Sequence, residues 1–233
     1  MINTWGAQRE LTCNVQDLDI YLGDYSYIAK AVDQIVFDKS FFINPSFTHL
    51  KLECCFASPT GFFISWENLK SLCLSYVDLN EDLFQSILFE SPGLETFKLN
   101  ECLGFTRLDI ISKSVKKFVI SGYKSISKDK FVHLNAPSIL SLTIQGCMIL
   151  RDLRFVDVFS LVKAKFYHMP GDIPINDDEE YYMLKEHLEK LCHVKHELKL
   201  KLGDRCSEVL YWLEAQRFIV PPNIKHVVDN ELE

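Results

Sequence analysis

The sequence predicts an α/β solenoid, with a parallel sheet on its concave face and helices or turns on its convex face. Two observations carry that expectation: one apolar spacing returns at a near-constant period, and within each copy apolar and polar residues alternate. The spacing LxxLxLxx(C) is clearest at Phe47, Leu50, Leu52, Cys55; Leu69, Leu72, Leu74, Val77; Leu94, Phe97, Leu99, Cys102; Val115, Phe118, Ile120, Tyr123; and Ile139, Leu142, Ile144, Cys147. Weaker copies stand at Val15, Leu18, Ile20 and at Leu161, Ala164, Phe166. The period of 21 to 25 residues lies in the range of leucine-rich repeats. One such strand cannot bury its apolar face alone, so the copies must stack.

Within a copy, Leu50 and Leu52 point inward while Lys51 and Glu53 face solvent, as a half-buried strand requires. The Cys that ends three copies fits a position where the chain leaves the sheet, because a thiol is small and apolar. Cys55, Cys102 and Cys147 are therefore read as structural. Between strands, Asn80 followed by Glu81 and Asp82 opens a helix whose apolar face is Leu83, Ile87 and Leu88. Ser91-Pro92-Gly93 ends it before the next strand. Residues 1–14 are expected to cap the first layer, with Trp5 beneath the first strand, and 15–168 to carry the regular repeats. Residues 169–180 are expected to form an acidic loop, and 181–233 the irregular last repeats and a C-terminal cap, all within one domain spanning 1–233.

Toward that end, Asp177 is expected to cap a helix presenting Tyr181, Leu184, Leu188 and Leu191 at helical spacing. Val194, Leu198 and Leu200 have one residue too many between the first two, which predicts a bulge or register change at the solenoid's end. Residues 208–216, then Pro221-Pro222 and residues 224–228, are expected to cover the open core, with Trp212 as its anchor.

Composition narrows the function. Nearly half of the 233 residues are apolar (48%), enough for a sizeable core, and the net charge of −7 leaves no footprint for nucleic acid or an anionic membrane. The first residues lack a secretory pattern, and no apolar run approaches the roughly 20 residues of a membrane helix. A cytoplasmic or nuclear location is expected. The eight cysteines include no CxxC pair, and Cys54 and Cys55 are expected on opposite faces of a strand, so free thiols are favoured over disulfides. Cys192, His193, His196 and Cys206 have metal-ligand composition, but they straddle a helix end and a strand start, and no metal or other cofactor is expected. No nucleophile elbow, phosphate loop or diagnostic carboxylate pair occurs, so the chain is read as non-catalytic.

The small words around the leucines add a resemblance. Residues 64–72 (Ile64-Ser65-Trp66-Glu67-Asn68-Leu69-Lys70-Ser71-Leu72), Leu83 to Leu88, Ser91-Pro92-Gly93-Leu94-Glu95, Cys102 to Ile110 and Ser112 to Lys117 closely resemble the repeat region of plant F-box/LRR proteins. Val15 to Ile20, Phe47 to Leu52 and Leu188 to Lys195 match as well, so the similarity spans most of residues 10–200. It implies the substrate-recognition part of a cullin-RING ubiquitin ligase, in which an F-box docks on the Skp adaptor and the repeats hold the target. The first repeat already starts at Val15, which leaves no room for an F-box, so Skp adaptor and cullin are not expected partners, and a C-terminal FBD segment is not evident either.

Three functions follow as expectations: protein recognition on the concave face, a competitor that binds ligase targets without ubiquitination, and a small-molecule, hormone-like sensor. The outward residues of successive strands should form adjacent columns. One column is Asp19, Lys51, Cys73, Lys98, Val119, Thr143, Lys165, and the next is Tyr21, Glu53, Ser75, Asn100, Ser121, Gln145, Tyr167. His49, Ser71, Thr96, Lys117, Ser141 and Lys163 precede them. From these, Lys51, Glu53, Cys73, Ser75, Lys98, Asn100, Lys117, Val119, Thr143, Gln145, Lys165 and Tyr167 are the candidate partner-binding residues. Lysines outnumber acids among them, which favours an acidic segment of a protein partner.

Overall fold

Period-two alternation becomes strand wherever the repeat places it. The structure, a computed structural model, describes residues 15–21, 39–54, 63–123, 131–146, 153–167 and 177–228. The chain divides into two compact units, Met1–Phe105 and Thr106–Glu233. Trp5, Cys13, Cys55, Cys147 and residues 169–176, where a loop is expected, lie outside the described residues.

In the first unit, strands β1 (Asp17–Tyr21), β2 (His49–Glu53), β3 (Ser71–Ser75) and β4 (Thr96–Cys102) pair in that order, all parallel. Register is unbroken: Leu18 faces Leu50, Leu50 faces Leu72, and Leu72 faces Phe97. Each repeat enters by the same two hydrogen bonds. The amides of Lys70 and Ser71 donate to Thr48 O, and those of Glu95 and Thr96 donate to Lys70 O. Behind the strands, the short helix α1 (Lys39–Phe42) brings Phe41 against Phe47 and Trp66, with ring centroids 5.7 and 5.9 Å away. Trp66 is fully buried, and its indole N–H donates to Phe41 O at 3.0 Å, which gives this ring the polar partner it needs in a core. Helix α2 (Glu81–Glu90) starts as expected, with Asn80 Oδ1 accepting from Leu83 N at 2.8 Å, and stops at Ser91. Its inner stripe adds Phe84, stacked on Phe97 of β4 at 5.5 Å.

The second unit has two parallel sheets. Strands β6 (Lys117–Tyr123), β8 (Ser141–Gln145), β10 (Lys163–Tyr167), β11 (Leu198–Leu202) and β12 (Ile224–Val228) form the larger one in that order. The smaller joins β5 (Arg107–Asp109), β7 (Val132–Asn135) and β9 (Leu153–Asp157). The backs of these repeats are therefore short strands, where helices or loose turns were expected. Their alternation explains it, since Leu108, Val132, Leu134, Leu153 and Phe155 are buried while the residues between them are not. Phe155 meets Phe166 of the larger sheet at 6.4 Å, and buried His187 lies 4.7 Å from the Phe155 ring.

The C-terminal third departs from expectation in four places. Helix α3 (Asp177–Leu191) already includes the four acids, so Asp177 is its first residue, not its cap, and 177–180 are helix. No bulge interrupts β11, because its inward pair is Leu200 and Leu202, aligned with Ala164 and Phe166, and the additional residues lie between Val194 and the strand. Residues 224–228 form the sheet's next strand rather than a lid. Helix α4 (Asp204–Ala215) buries Cys206, Val209, Leu210 and Leu213, a stripe at helical spacing, whereas Trp212 sits off that stripe and is 40% exposed.

Candidate protein-binding face

Because side chains alternate along a strand, the residues between the buried pairs line up across neighbouring strands. In the first unit three files result: Asp17, His49, Ser71, Thr96; Asp19, Lys51, Cys73, Lys98; and Tyr21, Glu53, Ser75, Asn100. The second unit has Lys117, Ser141, Lys163, Lys199, Lys225; Val119, Thr143, Lys165, Lys201, Val227; and Ser121, Gln145, Tyr167. All twelve candidate residues thus stand on outward files, seen separately in each unit: Lys51, Glu53, Cys73, Ser75, Lys98 and Asn100 in the first, Lys117, Val119, Thr143, Gln145, Lys165 and Tyr167 in the second.

Accessibility trims that set. Ser75 and Thr143 are only 4% and 8% exposed. Ser75 Oγ accepts from Asn100 Nδ2 at 3.1 Å, and the same amide donates to Cys73 Sγ at 3.3 Å. Thr143 is a small side chain between Val119 and Lys165 on adjacent strands. Both are covered by neighbours, which correspondingly make the surface. Burial also pushes the Cys73 thiol above its ordinary range, which disfavours the thiolate.

The two faces differ in charge. The first unit's face sets three carboxylates against two lysines and satisfies them locally. Asp17 Oδ1 lies 2.7 Å from His49 Nδ1, and Lys51 Nζ lies 3.3 Å from Asp19 and 3.7 Å from Glu53. The hydrogen bond and charge of Asp19 hold the Lys51 ammonium above its usual range. The second unit's files hold six lysines and no carboxylate. Lys165 leans over the Tyr167 ring at 5.8 Å, and Tyr167 lies against Gly203, where an added Cβ would come within 3.0 Å of its Cδ1. The weak positive bias expected of the whole face is therefore confined to the second unit.

Sequence reasoning missed Lys199, Lys201 and Lys225. The expected columns end at β10 because the next segment reads as irregular and residues 224–228 as a cap, whereas both are strands that continue the outward files. Cys192, His193 and His196 are exposed and Cys206 is buried, and no metal-binding group of His, Cys, Asp or Glu occurs among the described residues.

Comparison with known proteins fits this architecture. The family described as FBD-associated F-box protein At5g56370, LRR repeats, matches residues 4–169. The chain belongs to that family. Its leucine-rich repeats make it a module of the protein-interaction type found in an F-box protein context. No curated protein and no solved structure matches the chain.

Proposed function

We propose that this F-box-type repeat module is a non-catalytic receptor that takes a protein target on the outward face of its strands, in the cytoplasm or nucleus. The observation that carries the reading is the exposure of Lys117, Lys163 and Lys199, three charged side chains on one file that none of the described elements covers. A parallel sheet normally has both faces covered, so an open face with charged files has a surface to offer. The family's role in ligase substrate recognition supports the same reading, with the repeats holding the target.

A quantitative pull-down of the chain from plant extract, with Lys98→Glu/Lys165→Glu as control, tests it. The expected result is a specific partner retained by the parent chain and lost by the double variant. Retention of Skp adaptor and cullin with that partner makes the chain part of a ligase, and their absence makes it a competitor for the target. A partner bound equally by both proteins would overturn the assignment to the strand face.

A further inference from the structure

Resting on the protein-recognition reading, we infer that target binding belongs to the second unit, where lysines on β10, β11 and β12 capture an extended acidic segment of the partner. Lys163, Lys199 and Lys225 share one register level on three consecutive strands, and Lys165 and Lys201 share the next. Neighbouring strands are about 4.8 Å apart, so these ammonium groups crowd one another, and like charges placed directly opposite destabilise a sheet.

Three facts argue that this crowding serves a ligand. Lysines that guard a sheet against edge-to-edge association belong on edge strands. That accounts for Lys225 on β12, but Lys163 and Lys199 lie on strands paired on both sides. Lys163 and Lys199 are not neutralised by the described residues either. Among the described residues Glu197 engages Lys225 at 2.8 Å, while Lys117, Lys163 and Lys199 have no carboxylate within ion-pair distance. The chain as a whole carries a charge of −7, so the lattice does not follow from general basicity.

Geometry selects the occupant. Lys163 and Lys165, like Lys199 and Lys201, are two residues apart on a strand, which separates them by about 6.6 Å. An extended peptide parallel to the strands repeats its same-face side chains at that distance, so Asp or Glu at alternate positions matches the lattice. Nucleic acid fits less well: the files hold no arginine to fork onto phosphate, and Tyr167 is the one described aromatic ring there on which a base could stack.

The test is fluorescence-anisotropy titration of the full chain with a labelled peptide of alternating Glu and Ser. A Lys-Ser peptide and an oligothymidylate of equal charge serve as the other probes. The Glu-Ser peptide is expected to bind in a salt-sensitive way. Lys163→Glu/Lys199→Glu should weaken it by about tenfold or more and gain affinity for the Lys-Ser peptide, while Lys39→Glu/Lys70→Glu, the same charge change at exposed first-unit lysines off the outward files, leaves binding unchanged. Circular dichroism checks that the variants fold, and Lys163→Gln/Lys199→Gln replaces the first if it does not. Equal losses from both double variants would overturn the assignment to the second unit, and tighter binding of oligothymidylate would make this a nucleic-acid face. No peptide binding, with the captured partner still lost in Lys98→Glu/Lys165→Glu, would sink the acidic-segment inference and leave protein recognition standing. A partner insensitive to that variant would remove both.

Discussion

Cys54, Tyr76 and Glu101 share an unusual backbone: each follows the third outward-file residue of its strand, Glu53, Ser75 or Asn100, and has a positive φ, of 57°, 55° and 49°. The equivalent positions in the second unit are Gly122 and Gly146, at 52° and 98°. The exit turn of the repeat thus demands a left-handed residue, which glycine adopts freely and other residues adopt at a cost. Glu101→Gly is expected to raise stability by about 1 kcal/mol, read as a higher denaturant midpoint at unchanged slope. Residue-scale pH behaviour follows from Cys102, whose burial pushes its thiol from 9.0 up to about 12. The folded state then keeps a proton that the unfolded chain releases. The contribution is intact below the unfolded value and is lost as pH rises from 9.0 toward about 12. Replacing Cys102 with Ala should flatten the alkaline limb of the stability profile. Buried leucines at this scale were legible from spacing alone, because the core demands them. The left-handed turns were not, since Cys, Tyr and Glu give no sign of a conformation that the neighbouring repeats impose.

At the level of elements, helix α2 was readable because its signals are local. Asn80 caps it, acids fill its first turn and Ser91-Pro92-Gly93 closes it. Asn80→Ala should cost about 1 kcal/mol by freeing the Leu83 amide, measurable by chemical denaturation. Trp66→Ala should cost about 3–5 kcal/mol, since it empties the site between Phe41 and the sheet. What went unread needed tertiary context. The strands β5, β7 and β9 are three to five residues long, too short for alternation to stand out, and they hold together only by pairing with one another. Strand β11 was misframed because Leu198, Leu200 and Leu202 are all buried, so two frames satisfy the same pattern until Ala164 and Phe166 select one.

Across the whole molecule, the repeat pattern, the parallel pairing and the family membership agree. Period was legible because a stack repeats its apolar demand every turn. Charge on the outward files was only half legible, because its sign depends on which strands belong to each unit and on three lysines in strands beyond the regular repeats. One consequence reaches beyond binding: relieving the like-charge file should stabilise the fold. Lys199→Glu, which sets a carboxylate between Lys163 and Lys225, is therefore expected to melt higher than the parent even as it weakens ligand binding. The account's central claim, that the outward strand face takes the target, is tested most directly by lysine-acylation footprinting of the full chain, alone and with its captured partner. Protection of Lys163, Lys165 and Lys199, with Lys39, Lys185 and Lys190 on the helices left reactive, is the predicted result. Protection of the helix lysines with the strand lysines still reactive would contradict it.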